Sequence, residues 1–144
     1  MNVNVEVLST VTDEVVEAFG NLLPQLSTSA KRLDAATLAA VASDPASTVL
    51  LARIGEKIVG TLTLATFAIP TGVRAWIEDV VVDEAARGQR VASQLIDEAI
   101  KLARQAGART VDLTSRPSRE SAGRLYERIG FEQRETRMYR YKLS

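Results

Sequence analysis

The chain contains no cysteine and no histidine. Without cysteine there is no disulfide, no thiolate metal site and no cysteine nucleophile. Without histidine a Ser-His-Asp triad is excluded, and so are the common zinc ligand sets. No metal is therefore expected, and proton transfer must use Asp, Glu, Tyr, Lys, water or the substrate itself. Aromatic residues are scarce, at 5%, which leaves few rings for stacking nucleic-acid bases. No apolar run approaches membrane-spanning length. The N-terminus "MNVNVEVLST" lacks a basic stretch followed by an apolar one, so no signal peptide is expected. By elimination the expected location is cytoplasmic.

What is present suits one domain over residues 1–144 with a single core: hydrophobic residues make up 46% and charged residues 25%. Net charge is zero, but it is unevenly spread. Residues 1–86 carry five Lys/Arg against eleven Asp/Glu, and residues 87–144 carry thirteen against seven. The split fits either two solvated faces of opposite sign or a polyanionic ligand near the C-terminal half. The basic residues are scattered over several elements, which favours a small phosphorylated cofactor over nucleic acid.

Periodicity sets the order of elements. "VNVEVLS" (3–9) alternates as a strand, and "TDEVVEAFGNLL" reads as a helix capped by Thr12. "DAATLAAVAS" (34–43) is a short helix capped by Asp34. "STVLLARI" and "KIVGTLTLATF" read as a hairpin about Gly55-Glu56, "IPTGVR" as a loop and "AWIEDVVV" (75–82) as a strand. Helices near 88–106 and 118–129 flank a strand near 109–115, and "FEQRETRMYRYKL" is expected to hold two short strands joined near Glu135. The fold class is α/β (α+β): one mixed sheet with helices against it.

The stretch "VVVDEAARGQRVASQL" (80–95) carries the first chemical signal. Three successive valines suit a buried central strand. After a short loop, Val91, Leu95, Ala99, Leu102 and Ala106 form the apolar stripe of a helix, with Gly107 as its C-terminal stop. A strand thus points at a helix N-terminus, whose first N–H groups lack partners and carry partial positive charge. Such a terminus holds anions. Gly88 lets backbone approach a ligand, and Arg87 and Arg90 add charge. On spacing alone, one glycine is equally consistent with a plain turn whose arginines face water.

"RESAGRLYERIGFEQ" (119–133) changes the balance. It resembles the Asn-x-x-Ala-x-x-Leu-Tyr-Glu-x-x-Gly-Phe signature of the GNAT superfamily of acetyl-CoA-dependent N-acetyltransferases. "VVVDEAARGQRVASQLI" resembles the acyl-CoA loop of that superfamily, Val-x-x-x-x-Arg/Gln-Gly-x-Gly-x-Gly/Ala. The two pieces stand in the family's order, and the resemblance covers residues 48–142. Two positions depart from the pattern: Arg119 replaces the asparagine, and Arg90 replaces the middle glycine.

The resemblance implies a mostly antiparallel sheet of about seven strands flanked by about four helices. It also implies acetyl-CoA as cosubstrate. Val80 and Val82, with Val81 between them, would pair with the pantetheine arm. The N–H groups of Arg87, Gly88, Gln89, Arg90, Val91, Ala92 and Ser93 would hold the pyrophosphate. Arg116 and Arg119 follow a strand end and open the tyrosine-bearing helix, which suits either contact with a cofactor phosphate or acidic substrate or plain solvated arginines. Tyr126 matches the tyrosine that protonates the departing thiolate; its alternative is an ordinary core aromatic. Glu78 is the candidate base, with Asp79 in reserve. Two adjacent acids in an apolar strand are costly if both are buried, so at least one should face a cleft or a partner. The expected acceptor is a small-molecule amine or a peptide N-terminus, attacked directly in a ternary complex. "WIEDVVV" also resembles glucosamine-6-phosphate N-acetyltransferases, and the C-terminal helix resembles N-terminal protein acetyltransferases, so the acceptor stays open. A homodimer is compatible with the sequence. The rival from another class is a non-catalytic acyl-CoA-binding or interaction domain of the same fold, which the two departures would favour.

Overall fold

Thr12 accepts a hydrogen bond from the Val15 N–H (3.3 Å) and Asp34 from the Thr37 N–H (2.7 Å), so each of the first two helices begins on a capped turn. The structure, a computed structural model, describes residues 2–29, 31–115 and 120–144. Its elements are β1 (Val3–Val7), α1 (Asp13–Leu26), α2 (Ala35–Ser43), β2 (Ser47–Ile54), β3 (Lys57–Ile69), β4 (Gly72–Val82), a 3-10 turn at Glu84–Ala86, α3 (Val91–Gln105), β5 (Ala108–Asp112) and α4 (Glu120–Ile129). They form two compact units, Met1–Leu113 and Thr114–Ser144. Among the described residues no helix is long and apolar enough to cross a membrane.

The first unit is one sheet in the order β1-β2-β3-β4-β5. The first three pairings are antiparallel, and β4–β5 is parallel through the α3 crossover. The stretch expected as a loop, "IPTGVR", is mostly strand. β3 runs to Ile69, opposite Gly72 of β4, and only Pro70 and Thr71 lie between. The chain enters β4 at Gly72 with φ 135°, a conformation that glycine adopts without a Cβ penalty.

Both faces of the sheet are covered. On one, Val15, Phe19 and Leu22 of α1 and Leu38 of α2 pack with Val49, Leu51, Ile58 and Val81. On the other, α3 buries Val91, Leu95, Ile96, Ala99 and Ala103. The expected stripe holds for its first half. Beyond Ala99 the buried position is Ala103, while Leu102 is half-buried and Ala106 exposed. Gly60 is what lets α3 sit down on β3: a Cβ there would lie 3.0 Å from Val91 Cγ1 and 3.3 Å from Leu95 Cδ1.

Helix α1 continues past Pro24, although proline lacks the N–H that would bond four residues back. The extra turn is retained because Leu23 and Leu26 pack against the α1 core, and tertiary burial outweighs local propensity. That turn also carries Gln25.

The sheet has five strands among the described residues, not about seven. Residues 131–144, expected to hold two strands, are neither helix nor strand, and Met138, Tyr139, Tyr141 and Leu143 are exposed. Alternation in "MYRYKL" suits a strand, but a strand also needs partner backbone for its N–H and C=O groups, and no pairing forms there.

Candidate active site

The geometry of the site begins with an irregularity in β4. Val81 pairs with Thr61 and Glu78 pairs with Thr63, so Leu62 alone stands opposite Asp79 and Val80. This is a β-bulge, and Asp79 takes the left-handed backbone it requires, at φ 51°. Asp is among the few residues other than glycine that tolerate this conformation. The bulge breaks the strict alternation that would place Ile77, Asp79 and Val81 on one face. Ile77, opposite Leu64, and Val81, opposite Thr61, instead face opposite sides of the sheet. Val81 joins the α1 core, Val80 and Val82 are half-buried, and Glu78 and Asp79 are both exposed. Neither acid is buried, so the cost of two adjacent buried carboxylates does not arise.

The second feature is where strand pairing stops. β4 pairs with β5 only from Val73 to Trp76, and β5 ends at Asp112. From Ile77 to Val82, the β5-facing edge of β4 has no strand beside it among the described residues. An extended ligand can use such an edge as an added strand would.

The third feature is the loop from β4 to α3. Asp83 is buried, at 7% exposed, and its carboxylate accepts from the Ala85 N–H (3.2 Å), which closes the 3-10 turn. Gly88 and Arg90 then both adopt left-handed backbone, at φ 83° and 63°. Left-handed residues alternating with ordinary ones turn successive N–H groups inward into an anion-binding concavity. Arg90 is the residue before α3, and no side chain caps that helix. Its first-turn N–H groups therefore lack an intrahelical or side-chain partner and carry the positive end of the helix dipole. Arg87, Gly88, Gln89 and Arg90 are exposed, Ala92 and Ser93 half-buried, and Val91 buried with its side chain in the core. The backbone angle at Arg90 explains why glycine suits this position and what the arginine costs there.

Asp83 has a carboxyl held below its ordinary value, first by the Ala85 N–H and then by Gln25, Asn21 and the charge of Lys57, against the opposing effect of burial. A carboxyl depressed in the folded state contributes stability that is complete above its unfolded value and is lost as pH falls through the folded value. Melting temperature measured from neutral to acid pH should therefore show a loss, below the ordinary 3.8 of an aspartate, that is reduced in Asp83→Asn. Superimposable acid limbs in the two proteins would contradict this.

In the second unit, α4 half-buries Ala122, Leu125, Tyr126 and Ile129 along one face and exposes Arg124, Glu127 and Arg128. The Tyr126 carbonyl accepts from the Phe131 N–H (3.0 Å) and the Glu127 carbonyl from the Gly130 N–H (3.1 Å). Gly130 lies at φ 123°, and this helix stop turns Phe131 back so that its ring meets Tyr126 edge-on, with centroids 5.9 Å apart. Local structure thus accounts for the "LYERIGF" spacing. Arg116 and Arg119 lie outside the described residues. The structure brings Glu78, Val80, Val81, Val82 and the loop from Arg87 to Ser93 together in the first unit; Tyr126 belongs to the second. Among the described residues no group of three or more Asp or Glu is placed to hold a metal.

A mixed sheet in which the inner strand β4 is bulged, outruns its parallel neighbour and leads into an uncapped helix N-terminus suits a fold of the acyltransferase type. A model of the acetyltransferase (GNAT) family matches residues 10–131, and the chain belongs to that family. It is 35% identical over 88 residues to an N-alpha-acetyltransferase, MAK3, of Arabidopsis thaliana, covering 61% of this chain and 46% of that protein. It is 42% identical over 57 residues to an aminoalkylphosphonate N-acetyltransferase of Salmonella typhimurium, covering 40% of this chain and 37% of that protein. The matched stretches thus span less than half of either relative. An acetyltransferase of Trypanosoma brucei is similar in structure, with a TM-score of 0.79 at 26% identity over 99% of this chain and 100% of that one.

Proposed function

We propose that the chain is an acetyl-CoA-dependent N-acetyltransferase acting on a primary amine. The observation that carries the reading is the pairing of an open β4 edge with an uncapped, inward-turned N–H loop one strand-end away. The first suits the amide-bearing pantetheine arm, along Val80, Val81 and Val82; the second suits a pyrophosphate, at Arg87, Gly88, Gln89, Arg90, Val91, Ala92 and Ser93. When bound, the cofactor supplies the activated thioester. Glu78, exposed on the same strand, takes a proton from the acceptor ammonium, directly or through water, with Asp79 next to it in reserve. The amine nitrogen then bonds to the acetyl carbon as the carbon–sulfur bond breaks. A backbone N–H near Val80 holds the charge that develops on the acetyl oxygen. Tyr126 gives its proton to the departing thiolate. The nitrogen gives up its second proton as the amide forms, through water to the Tyr126 phenolate, so the products are the acetylated amine, free CoA and the one proton held by Glu78.

The relatives' names suggest the acceptors to try first: peptide N-termini and aminoalkylphosphonates, followed by amino sugars, polyamines and amino acids. Saturating acetyl-CoA should raise the melting temperature, because a ligand bound only by the native state stabilises it. One acceptor class should release free thiol. The absence of any thermal shift would overturn the reading, and a shift without thiol release from any amine would leave a binding domain.

Because backbone groups do the binding in this reading, Arg90→Gly should keep acetyl-CoA affinity within about threefold and relieve a left-handed strain of about 1 kcal/mol. Calorimetric titration checks this. Tighter binding by about tenfold or more, equivalent to about 1.4 kcal/mol, would show that the arginine obstructs the cradle. A comparable loss would assign its charge to phosphate binding.

A further inference from the structure

The last two turns of α1 reach the start of the cofactor loop. Asn21 and Gln25 are four residues apart and so share one helix face. Asn21 Nδ2 donates to Asp83 Oδ2 at 3.1 Å, and Gln25 Nε2 donates to Asp83 Oδ1 at 3.5 Å and to the Asn21 carbonyl at 3.1 Å. The other end of the Gln25 amide, Oε1, accepts from the Glu84 N–H at 2.9 Å. One side-chain amide therefore grips the Asp83–Glu84 junction from both sides. Asp83 is also fixed to β3, its N–H donating to the Val59 carbonyl at 2.7 Å, and its own carbonyl accepts from the Ala86 N–H at 2.8 Å. Downstream, no side-chain hydrogen bond tethers the loop from Arg87 to Arg90 among the described residues. The direction in which the chain leaves β4, and with it the aim of the N–H groups beyond Gly88, is set at this junction.

We propose that Asn21 and Gln25 are positioning residues that place the cofactor loop from α1. The inference rests on the reading of that loop as the acetyl-CoA cradle. It gives the buried carboxylate a task beyond closing its own 3-10 turn, since Asp83 is one of two buried polar residues in the chain's described part and all its donors come from α1 or that turn. It also makes α1 and the cradle one mechanical unit: whatever shifts α1 re-aims the N–H groups, and cofactor binding holds α1 in place.

The test uses the full chain. In Asn21→Ala/Gln25→Ala, acetyl-CoA affinity by calorimetry and the KM for acetyl-CoA should weaken by about tenfold, because hydrogen bonds to a charged group are lost from a loop that binding must then order. kcat at saturating acetyl-CoA should stay within about twofold, because the acyl-transfer groups are untouched. Glu17→Ala, on an exposed position of the same helix, should change neither. Asn21→Asp, which sets two carboxylates against each other, should weaken binding, and adding Asp83→Asn should restore it by re-forming the pair with its roles exchanged. Unchanged affinity in the alanine pair, or loss of kcat and melting temperature with affinity intact, would overturn the proposal. Hydrogen exchange at amides 84–93, read without ligand, separates this from a failure of the cofactor reading. Faster exchange in the alanine pair, with no acetyl-CoA binding by the wild type, rejects the cradle and leaves the loop placement standing. Unchanged exchange rejects the placement.

Discussion

Tyr126→Phe is expected to lower kcat by about 10²–10³-fold, a loss of about 2.7–4 kcal/mol of transition-state stabilisation, while acetyl-CoA affinity holds. The substitution removes one oxygen and keeps the ring. The edge-on contact with Phe131 depends on the ring, and the turn that places Phe131 uses the Tyr126 backbone carbonyl, which phenylalanine also has. Packing of the second unit should therefore survive. In the proposed mechanism the variant lacks the proton for the departing thiolate, which would then leave unprotonated or wait for water. Melting temperature and acetyl-CoA affinity, measured beside kcat, separate this chemical role from a structural one. Wild-type turnover in the variant, or a defect that tracks a lower melting temperature or weaker acetyl-CoA binding, would remove Tyr126 from the acid role.

Leu95→Ala should be the most damaging single substitution for stability among those considered, at about 3 kcal/mol within the usual 2–5 for a buried leucine. Leu95 is fully buried, one turn into α3 on the face that packs on the sheet. Its Cδ1 fills the space left by the missing side chain of Gly60, and neither the glycine nor the β3 backbone can move in to close the cavity. For a chain of this length the melting temperature should fall by about 10 °C. Urea unfolding should show a lower midpoint with an unchanged slope. Leu102→Ala, half-buried on the same helix, should cost about 1 kcal/mol. Equal losses at the two positions would mean that α3 does not seat on the sheet along the Val91–Ala103 line.

Most elements were legible because local chemistry decides them. Thr12 and Asp34 cap the helices that their positions predict, since a short side-chain oxygen before an apolar run can satisfy first-turn N–H groups wherever the helix later packs. The helix expected near 118–129 is α4, and it ends at Ile129 as expected. The misreadings have particular causes. "IPTGVR" contains turn-forming residues, but register with a long partner strand carried the ladder almost to the tip of the hairpin. The helix runs past Pro24 because Leu26 beyond it, like Leu23 before it, has a core to pack against. The C-terminal alternation suited strands for which no pairing formed. For the site, the loop and its glycine could be read from the residues, and the roles of Tyr126 and Glu78 came only through the family resemblance. Asn21, Gln25 and Asp83 carried no signal: an amide four residues before another on a helix is commonplace, and an aspartate at a strand end reads as a turn.

The sequence by itself determined the absence of thiol and imidazole chemistry, the order of helices and strands over most of the chain, and the placing of a helix N-terminus after a valine-rich strand. Each follows from residue type or from spacing along the chain. The left-handed Asp79, the bare edge of β4 beyond Trp76 and the hold of α1 on Asp83 were decided only by tertiary structure. All three depend on register and contact between segments far apart in sequence, and neither composition nor periodicity encodes which residue will stand opposite another.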